Sequence, residues 1–290
     1  MKKVLLARTE VDSHWVGDGF PVRNFFSYTD LAEHLSPFLL MDYAGPRDFP
    51  PTEKRLGVGE HPHRGFETVT IVYSGEVEHR DSTGAGGTIG PGDVQWMTAA
   101  SGILHEEFHG REFAKRGGDF EMIQLWVNLP KAHKMDPPGY QEIQRRMIPE
   151  VELPHGAGSL RIIAGSHGDA KGPARTFSPT NLWDLTLNAK STVDLELPEN
   201  HTAALFLMRG AIKVSKSETI TGPALCILDP AGTRLFLESD SAAKILFLGG
   251  KPLNEPIVGY GPFVMNTEEE IRTAIRDFRN GTLGKTFSSG

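Results

Sequence analysis

The chain has 290 residues, with 37 acidic against 30 basic side chains and a formal net charge of −7. This balance argues against direct nucleic-acid binding, which needs basic patches that displace counterions from phosphates. The single cysteine, Cys226, excludes an intrachain disulfide framework. No apolar run approaches the ~20 residues of a membrane span, and the one near the start ends at Arg8, short of a secretory signal. We therefore expect a cytoplasmic protein without a membrane segment.

Residues that form turns are frequent along the whole chain. The 32 glycines and 20 prolines make up about 18% of the sequence, against an average of about 12%. Many tight turns predict many short strands, and we expect an all-β fold. The charged, proline-rich segment Lys131–Tyr140 is predicted to link two domains, residues 1–140 and residues 141–290.

The N-terminal half alternates apolar runs with turn signals. Ser36–Tyr43 is typical of a buried strand, and Ala44–Pro51 is predicted to be a loop because it is dense in Gly and Pro. Residues 59–77 have the pattern strand, turn, strand, and Glu78–Asp81 is predicted to run into solvent. The long apolar segment Met122–Pro130 predicts a further strand.

The C-terminal half carries six more strand patterns at roughly even spacing, which is typical of a sandwich or a barrel. They are Leu182–Leu187, Val193–Leu197, Ala204–Met208, Ala211–Val214, Leu225–Leu228 and Lys244–Leu248. The end of the chain differs, because Thr267-Glu-Glu-Glu270 is a capping box. Ile271, Ala274, Ile275 and Phe278 follow at helical spacing, so we predict an amphipathic helix of about three turns.

Side chains that can bind a metal occur in two short motifs. His61-Pro-His63 places two imidazoles at i, i+2, and such residues project to the same face of a strand. His105-Glu-Glu107 repeats this spacing further along the chain. A single His-x-His is weak evidence, since chance gives about 0.4 occurrences among residues of this composition. If the two strands pair, His61, His63, His105 and Glu107 converge on one metal ion.

The donor set restricts the metal and its position. Val69 and Ile71 are separated from His61 and His63 by even numbers of residues, so in a strand without a bulge all four share one face. Because Val69 and Ile71 are apolar, we expect the imidazoles to face the interior. Imidazoles with one carboxylate suit iron, manganese, nickel, copper, cobalt or zinc. Four protein ligands would close a tetrahedral zinc site, whereas an octahedral ion keeps two positions open. Because two-His-one-carboxylate sites are typical of non-haem Fe(II) oxygenases, Fe(II) is our first choice.

Four stretches of the sequence point to a known family. They are His61-Pro-His-Arg-Gly-Phe-Glu-Thr68, Pro91-Gly-Asp-Val-Gln-Trp-Met-Thr-Ala99, Gly102-Ile-Leu-His105 and Gly261-Pro-Phe-Val-Met-Asn-Thr267. Together they resemble the pirin family, a branch of the cupin superfamily. The resemblance implies two tandem cupin β-barrels with a short C-terminal helix, the first barrel metal-bearing and the second degenerate. It also implies that His61, His63, His105 and Glu107 ligate the metal, with iron the usual assignment.

The carboxylate of the site departs from the general cupin pattern. That pattern takes its glutamate from the first motif, here Glu67, whereas the pirin branch takes it from the second, here Glu107. We therefore expect Glu67 to support the ligands or, like Glu107, to be a candidate proton acceptor. Arg64 either binds an anionic substrate or pairs with a nearby acid, and we favour the pair.

The resemblance implies two functions of different classes. The first is a quercetin 2,3-dioxygenase-type enzyme, which cleaves the central ring of a flavonol-type aromatic substrate with O2. Glu107 or Glu67 would accept the proton of the substrate hydroxyl. The alternative is an iron-dependent, redox-sensing regulator that binds a protein partner without turnover. A metal-dependent isomerase or another oxygenase is a third hypothesis, because the cupin fold hosts many chemistries.

Overall fold

The structure is a computed structural model that describes residues 1–284. The chain divides into two compact units, which we name by size. The larger unit comprises Asp12–Glu33, Phe38–Arg145 and the residues from Asn254 onward, and the smaller unit comprises Met1–Val11, His34–Pro37 and Arg146–Leu253.

Strands dominate the described residues, which confirms the all-β prediction. In chain order they are β1 (Val4–Arg8), β2 (Ser13–Val16), β3 (Phe20–Phe26), β4 (Phe38–Phe49), β5 (Gly57–His63), β6 (Phe66–Ser74), β7 (Val77–Asp81), β8 (Gly86–Ile89), β9 (Val94–Thr98), β10 (Ile103–His109), β11 (Gly118–Asn128), β12 (Gly139–Ile143), β13 (Glu150–Glu152), β14 (Gly158–Ala164), β15 (Ser166–His167), β16 (Ala170–Lys171), β17 (Thr180–Leu187), β18 (Ser191–Glu196), β19 (Thr202–Arg209), β20 (Ala211–Val214), β21 (Ile220–Thr221), β22 (Ala224–Leu228), β23 (Arg234–Ser239), β24 (Ala243–Gly250), β25 (Val258–Tyr260) and β26 (Phe263–Met265). The α-helices are α1 (Ala32–Leu35), α2 (Arg111–Arg116) and α3 (Glu268–Arg279), and short 3-10 turns lie at Lys131–His133, Arg145–Met147 and Pro154–Gly156.

The chain ends correct the predicted domain ranges of 1–140 and 141–290. The main change of unit, after Arg145, lies close to the expected boundary. However, β1 completes a sheet of the smaller unit by pairing with β22, with Val4 opposite Leu228. Helix α3 in turn packs on β26 of the larger unit. Strand pairing and burial decide these memberships, because an edge strand and an amphipathic helix need partners wherever the chain provides them.

The larger unit is built from two main antiparallel sheets. One has the order β12-β9-β6-β11-β4-β3-β2, and the other has the order β5-β10-β7-β8. Their inward side chains form an apolar core at one end, in which the largest members are Phe20, Phe49, Phe113, Phe120 and Met122. The remaining interior is lined by polar and aromatic side chains, which are described below.

Gly65 turns the chain from β5 in one sheet to β6 in the other. Its φ of +93° is a left-handed conformation that favours glycine, and a Cβ at this position would lie 2.0 Å from the carbonyl oxygen of Val264. The prediction that Val69 and Ile71 share the face of His61 and His63 is wrong, because it assumed one uninterrupted strand and the chain turns at Gly65. The interior face of β6 carries Thr68 and Thr70 rather than Val69 and Ile71, although the histidines do face the interior.

The smaller unit repeats the two-sheet plan. Its sheets have the orders β1-β22-β19-β24-β17-β14-β13 and β18-β23-β20-β21, around a core of Leu, Ile and Val with Trp183 and Phe247. The six strands predicted in this half are confirmed as β17, β18, β19, β20, β22 and β24. In the described residues, the cluster of metal-competent side chains lies in the larger unit and the smaller unit has none.

Helix α3 begins as the sequence predicts. The Thr267 hydroxyl accepts from the Glu270 N–H, and the Glu270 carboxylate accepts from the Thr267 N–H, which completes the capping box. Ile271 and Ala274 are buried, whereas Phe278 remains 44% exposed. Within residues 1–284 no helix combines the length and the apolar character needed to span a bilayer.

Candidate metal centre

Three imidazoles meet inside the larger unit. His61 and His63 lie on β5, and His105 lies on the neighbouring strand β10, directly opposite His61 in the antiparallel register. One ligand atom from each of the three rings lies within 4.8 Å of the others. The ring centroids are 4.3 to 4.9 Å apart. The expected pairing of the two motif strands is therefore observed, and it brings the three histidines together.

The state of these rings fits a metal ion. His63 and His105 are 4% and 1% exposed, and burial, with the neighbouring imidazoles, lowers the pKa of both well below the usual value. The rings are therefore neutral at neutral pH, as metal binding requires. Nδ1 of His63 and both ring nitrogens of His105 have no hydrogen-bond partner in the described part of the chain. Such buried groups are costly, and a metal ion would satisfy one nitrogen of each ring.

His61 is held in the orientation that a ligand needs. Its Nδ1 lies 2.8 Å from the carbonyl oxygen of Gly59, to which the Nδ1–H can donate. Donation there leaves Nε2 with a free lone pair. A hydrogen bond from the second ring nitrogen is the usual way in which proteins orient a metal-binding histidine. The three imidazoles thus form a donor set that can hold a transition metal.

Glu107 lies beside the cluster but is not one of the three grouped residues. The β5–β10 register shifts between His105 and Glu107, so the simple i, i+2 alternation is disturbed there. The Gln124 amide donates to both carboxylate oxygens, at 3.0 and 3.3 Å, and the Thr70 hydroxyl donates at 3.4 Å. Burial raises the pKa of Glu107, whereas His61, Gln124 and Thr70 oppose the rise. Gln124 and Thr70 therefore orient the Glu107 carboxylate. The carboxylate also interacts electrostatically with His61.

Glu67 projects from the other face of its sheet. It lies opposite Thr98 in the β6–β9 pair and accepts a 2.7 Å hydrogen bond from the Thr98 hydroxyl. The register runs without a shift from Glu67 to Ile71, so Glu67 and Thr70 point to opposite faces. Because Thr70 contacts Glu107, Glu67 points away from the imidazoles. Burial raises the pKa of Glu67 to about 7. The geometry favours Glu107 over Glu67 as a proton acceptor at the cluster.

One side of the cluster is aromatic. Phe66 and Trp126 stack with their ring centroids 4.2 Å apart, and the His63 ring lies 5.2 and 5.4 Å from them. Trp126 is opposite Thr68 in the β6–β11 pair, on the interior face. Apolar or stacking ligands suit such a surface.

The opposite side contains polar residues that the sequence analysis missed. His79 and Asp81 on β7 are 3% and 7% exposed and lie directly across from Glu107 and His105 in the β7–β10 register. The prediction that Glu78–Asp81 runs into solvent is wrong, because β7 is an inner strand of the four-stranded sheet. A signal was present, since His79 and Asp81 have the same i, i+2 spacing as the two metal motifs.

Arg64 anchors the turn after His63. Its Nε donates to the Ser101 carbonyl oxygen at 2.6 Å, and its guanidinium pairs with the carboxylate of Asp277 on α3 at 2.8 Å. The preference for an ion pair at Arg64 is confirmed. The pair ties the strand that carries two of the imidazoles to the C-terminal helix.

A buried lysine holds the same turn from another side. The Lys134 ammonium donates to the carbonyl oxygens of Gly65 and Val264 and to Oδ1 of Asn128, at 2.6 to 2.9 Å. Burial lowers its pKa to about 7, although the negative charges of Glu255 and Glu270 oppose the shift. The turn between β5 and β6 is therefore held by several partners, which limits the movement of His63.

Comparisons with known proteins agree with this architecture. The family model described as Pirin matches residues 19–127, and the one described as Pirin C-terminal cupin domain matches residues 182–284. A quercetin 2,3-dioxygenase from Acinetobacter baumannii has 54% sequence identity to this chain. Its crystal structure superimposes with a TM-score of 0.96, and the match covers 98% of this chain and 99% of that one.

Two relatives extend the similarity across distant organisms. A Pseudomonas aeruginosa protein named "Putative quercetin 2,3-dioxygenase" is 58% identical over 97% of this chain and 98% of its own length. A "Pirin-like protein" of Solanum lycopersicum is 38% identical over 97% of this chain and 92% of its own length. With these matches, the two-unit β architecture and the cluster of three histidines, the chain belongs to the pirin family of cupin-type two-domain proteins.

Proposed function

We propose that this protein is a metal-dependent dioxygenase that opens the central ring of a flavonol such as quercetin with O2. The observation that carries the proposal is the cluster of three imidazoles, in which Nδ1 of His63 and both ring nitrogens of His105 are buried and lack partners among the described residues. The names of the Pseudomonas and Acinetobacter relatives support the substrate class. Trp126 is partly buried and stacks on the fully buried Phe66, so its ring is the aromatic group beside the cluster that a flat ring system could contact.

The ligands in this proposal are His61, His63, His105 and Glu107. Fe(II) is the first choice, and Mn, Ni, Cu, Co or Zn would suit the same donors. When bound, the metal supplies Lewis acidity and a template for the reactants. Gln124 and Thr70 support the assignment of Glu107, because they hold its carboxylate from the side of β6 and β11.

Glu107 also has the chemistry of a proton acceptor. A flavonol must lose the proton of its 3-hydroxyl group to become reactive, and Glu107 is a carboxylate on the interior face beside the imidazoles. In the absence of a metal, burial raises the pKa of its carboxyl group. The surrounding protein keeps bulk water from these side chains, since His63, His105 and Glu107 are each at most 4% exposed.

The test is turnover of quercetin by protein with a measured metal content. Protein is purified without oxygen, loaded with Fe(II) and mixed with quercetin and O2 while the flavonol absorbance is followed. We expect turnover by the wild type and none by His105→Ala, because the variant lacks one ligand. His34→Ala, at an exposed histidine, serves as the control and should keep full activity.

The regulatory alternative uses the same site without turnover. A protein that binds one iron per chain but consumes none of several flavonols would contradict the dioxygenase. A change in its proteolysis pattern between the ferrous and ferric states would then favour a redox-sensing role with a protein partner.

A further inference from the structure

A group of buried and partly buried polar side chains lies beside the metal centre, on strands other than those of the three histidines. We call His79, Asp81, Gln95 and Tyr140 the polar wall. They come from three strands, namely β7, β9 and β12. His79, Gln95 and Asp81 are 3%, 1% and 7% exposed. None of them has a role in the proposed reaction so far.

The strand register places the polar wall beside the metal centre. His79 lies opposite Glu107 and Asp81 lies opposite His105 in the β7–β10 pair. Directly opposite residues of an antiparallel pair project to the same face. His79 and Asp81 therefore face the interior together with the two residues of the second metal motif.

Gln95 and Tyr140 reach the same space from the other sheet. Gln95 is opposite Thr70 in the β6–β9 pair, and the Thr70 hydroxyl contacts Glu107. Tyr140 stacks on His79, with ring centroids 5.3 Å apart and an angle of 24° between the rings. The wall is thus continuous from β7 across to β12.

The wall has many polar atoms without partners. Both ring nitrogens of His79 have no hydrogen-bond partner among the described residues. The amide of Gln95, the Tyr140 hydroxyl and Oδ2 of Asp81 form no hydrogen bond of good geometry there, although the Tyr140 hydroxyl lies close enough to Asp81 and Gln95 to interact with both. The other oxygen of Asp81, Oδ1, is satisfied by the Thr83 hydroxyl and N–H. Each unsatisfied buried group costs about 1–3 kcal/mol, so a cluster of them indicates a place where a bound molecule supplies the partners.

We propose that the polar wall is a substrate subsite that binds the hydroxyl groups of a polyphenolic ligand while the metal centre holds its reacting end. The inference rests on the proposed flavonol function and adds the residues that select the substrate. A phenolic hydroxyl both donates and accepts hydrogen bonds. The wall offers both kinds of atom, through the Gln95 amide, the His79 imidazole and the Tyr140 hydroxyl. The Asp81 carboxylate accepts only and opposes an anionic ligand at this end.

The wall and the aromatic side together define the ligand class. A hydrocarbon ring would leave the polar atoms of Gln95 and His79 unpaired and desolvated, which is unfavourable. A small sugar or organic acid would not use the ring of Trp126. A flat aromatic molecule with hydroxyl groups at its periphery satisfies both sides.

The test compares two flavonols that differ only in their peripheral hydroxyl groups. Quercetin carries hydroxyl groups on both outer rings, whereas 3-hydroxyflavone has the central 3-hydroxyl alone. Binding to Fe(II)-loaded protein is measured without oxygen, from the absorbance shift of the flavonol. The variants are Gln95→Met and Tyr140→Phe. Gln141→Met is the matched control, because Gln141 lies between Tyr140 and Glu142 on β12 and projects to the other face.

We expect the wild type to bind quercetin more tightly than 3-hydroxyflavone. Gln95→Met and Tyr140→Phe should each weaken quercetin binding about tenfold and leave 3-hydroxyflavone binding unchanged, since each removes a hydrogen bond to the periphery. Gln141→Met should bind both ligands like the wild type. Iron content and melting temperature are measured for every variant to show that the metal centre is intact.

Three results would overturn the subsite. Equal wild-type affinity for the two flavonols, with no effect of either variant, removes the polar wall from recognition but leaves the dioxygenase proposal standing. Equal weakening of both ligands shows a general disturbance of the pocket rather than a subsite for hydroxyl groups. If the iron-loaded wild type binds neither flavonol, the proposed function itself fails, and the subsite fails with it.

Discussion

The imidazoles of His63 and His105 are kept neutral by their burial. An exposed histidine is partly protonated near pH 6.5, and a protonated ring cannot bind a metal. Here burial and the neighbouring rings lower the pKa of both side chains. The local sequence places the rings on strands, but only the packing around them sets their protonation state.

Gln124 is the residue through which the orientation of Glu107 can be tested. We expect Gln124→Met to weaken metal binding about 10–100-fold, because loss of a supporting hydrogen bond to a ligand has effects of this size. The measurement is a competition titration of the metal against a chelator of known affinity. Glu107→Gln should weaken binding further. Full metal affinity in both variants would show that Glu107 is not a ligand.

Glu67 gives a prediction on stability and pH. Its pKa in the folded protein is about 7, above the usual value of 4.5, so the fold favours the neutral carboxyl. This pKa shift contributes about 3 kcal/mol to the free energy of unfolding. The contribution is fully present below about pH 4.5 and is lost as the pH rises through about 7. We expect Glu67→Gln to be more stable than the wild type at pH 8 and about equal to it at pH 4.5.

Denaturant unfolding at a series of pH values gives the free energy of unfolding of Glu67→Gln and of the wild type. Other titrating groups contribute equally to both proteins, so their contributions cancel in the difference. Thr98→Val is a useful companion, since it removes the hydroxyl that donates to Glu67 but keeps the carboxyl. A constant difference between Glu67→Gln and the wild type from pH 4.5 to pH 8 would contradict the raised pKa.

At the scale of the elements, strand pairing assembles the site from separate segments. Strand β10 pairs with β5 on one side and with β7 on the other, which brings both metal motifs and the polar wall together. Strand β4 shows how far a local signal can mislead. Ala44–Pro51 was predicted to be a loop, yet β4 continues to Phe49 because it pairs with β11. A register shift in that pair accommodates Gly45 and Pro46.

The ion pair between Arg64 and Asp277 links two elements, and its loss should affect both stability and metal binding. Arg64 is 5% exposed, so Asp277→Asn leaves a buried guanidinium with a weaker partner. We expect a loss of about 1 kcal/mol in the free energy of unfolding, together with faster release of the metal. The control is Glu269→Gln on the same helix, which breaks an exposed pair with Arg272 and should change neither quantity.

At the scale of the whole molecule, one unit carries the candidate chemistry and the other repeats the fold without it. The cores of both units are closely packed, with Trp183 and Phe247 buried in the smaller one. The metal-competent cluster found in the described residues belongs to the larger unit alone. Metal should therefore stabilise the larger unit directly.

Metal loading should raise the melting temperature of the protein. A metal present at 100 times its dissociation constant adds about 2.7 kcal/mol to the stability of the folded form, which corresponds to about 5–10 °C for a unit of this size. Calorimetry with and without a chelator measures the shift. His105→Ala should show no shift at the same metal concentration. An equal shift in that variant would mean that the metal binds elsewhere.

Local patterns determined a large part of this protein. The all-β class, the six strands of the C-terminal half and the capping box of α3 follow from periodicity and turn chemistry over a few residues. The three histidines could also be selected from sequence, because an i, i+2 spacing on a strand is a short-range property. The family resemblance extended this to the two-domain architecture.

The tertiary structure alone decided which segments meet. In the folded chain β1 belongs to the smaller unit and α3 belongs to the larger one. The turn at Gly65 places Glu67 on the face that points away from the site. The tertiary structure also buried His79 beside Glu107 and placed Gln124 on the carboxylate. The physical reason is that pairing partners and interior faces depend on contacts between distant segments, and no local pattern specifies which strand will lie alongside another.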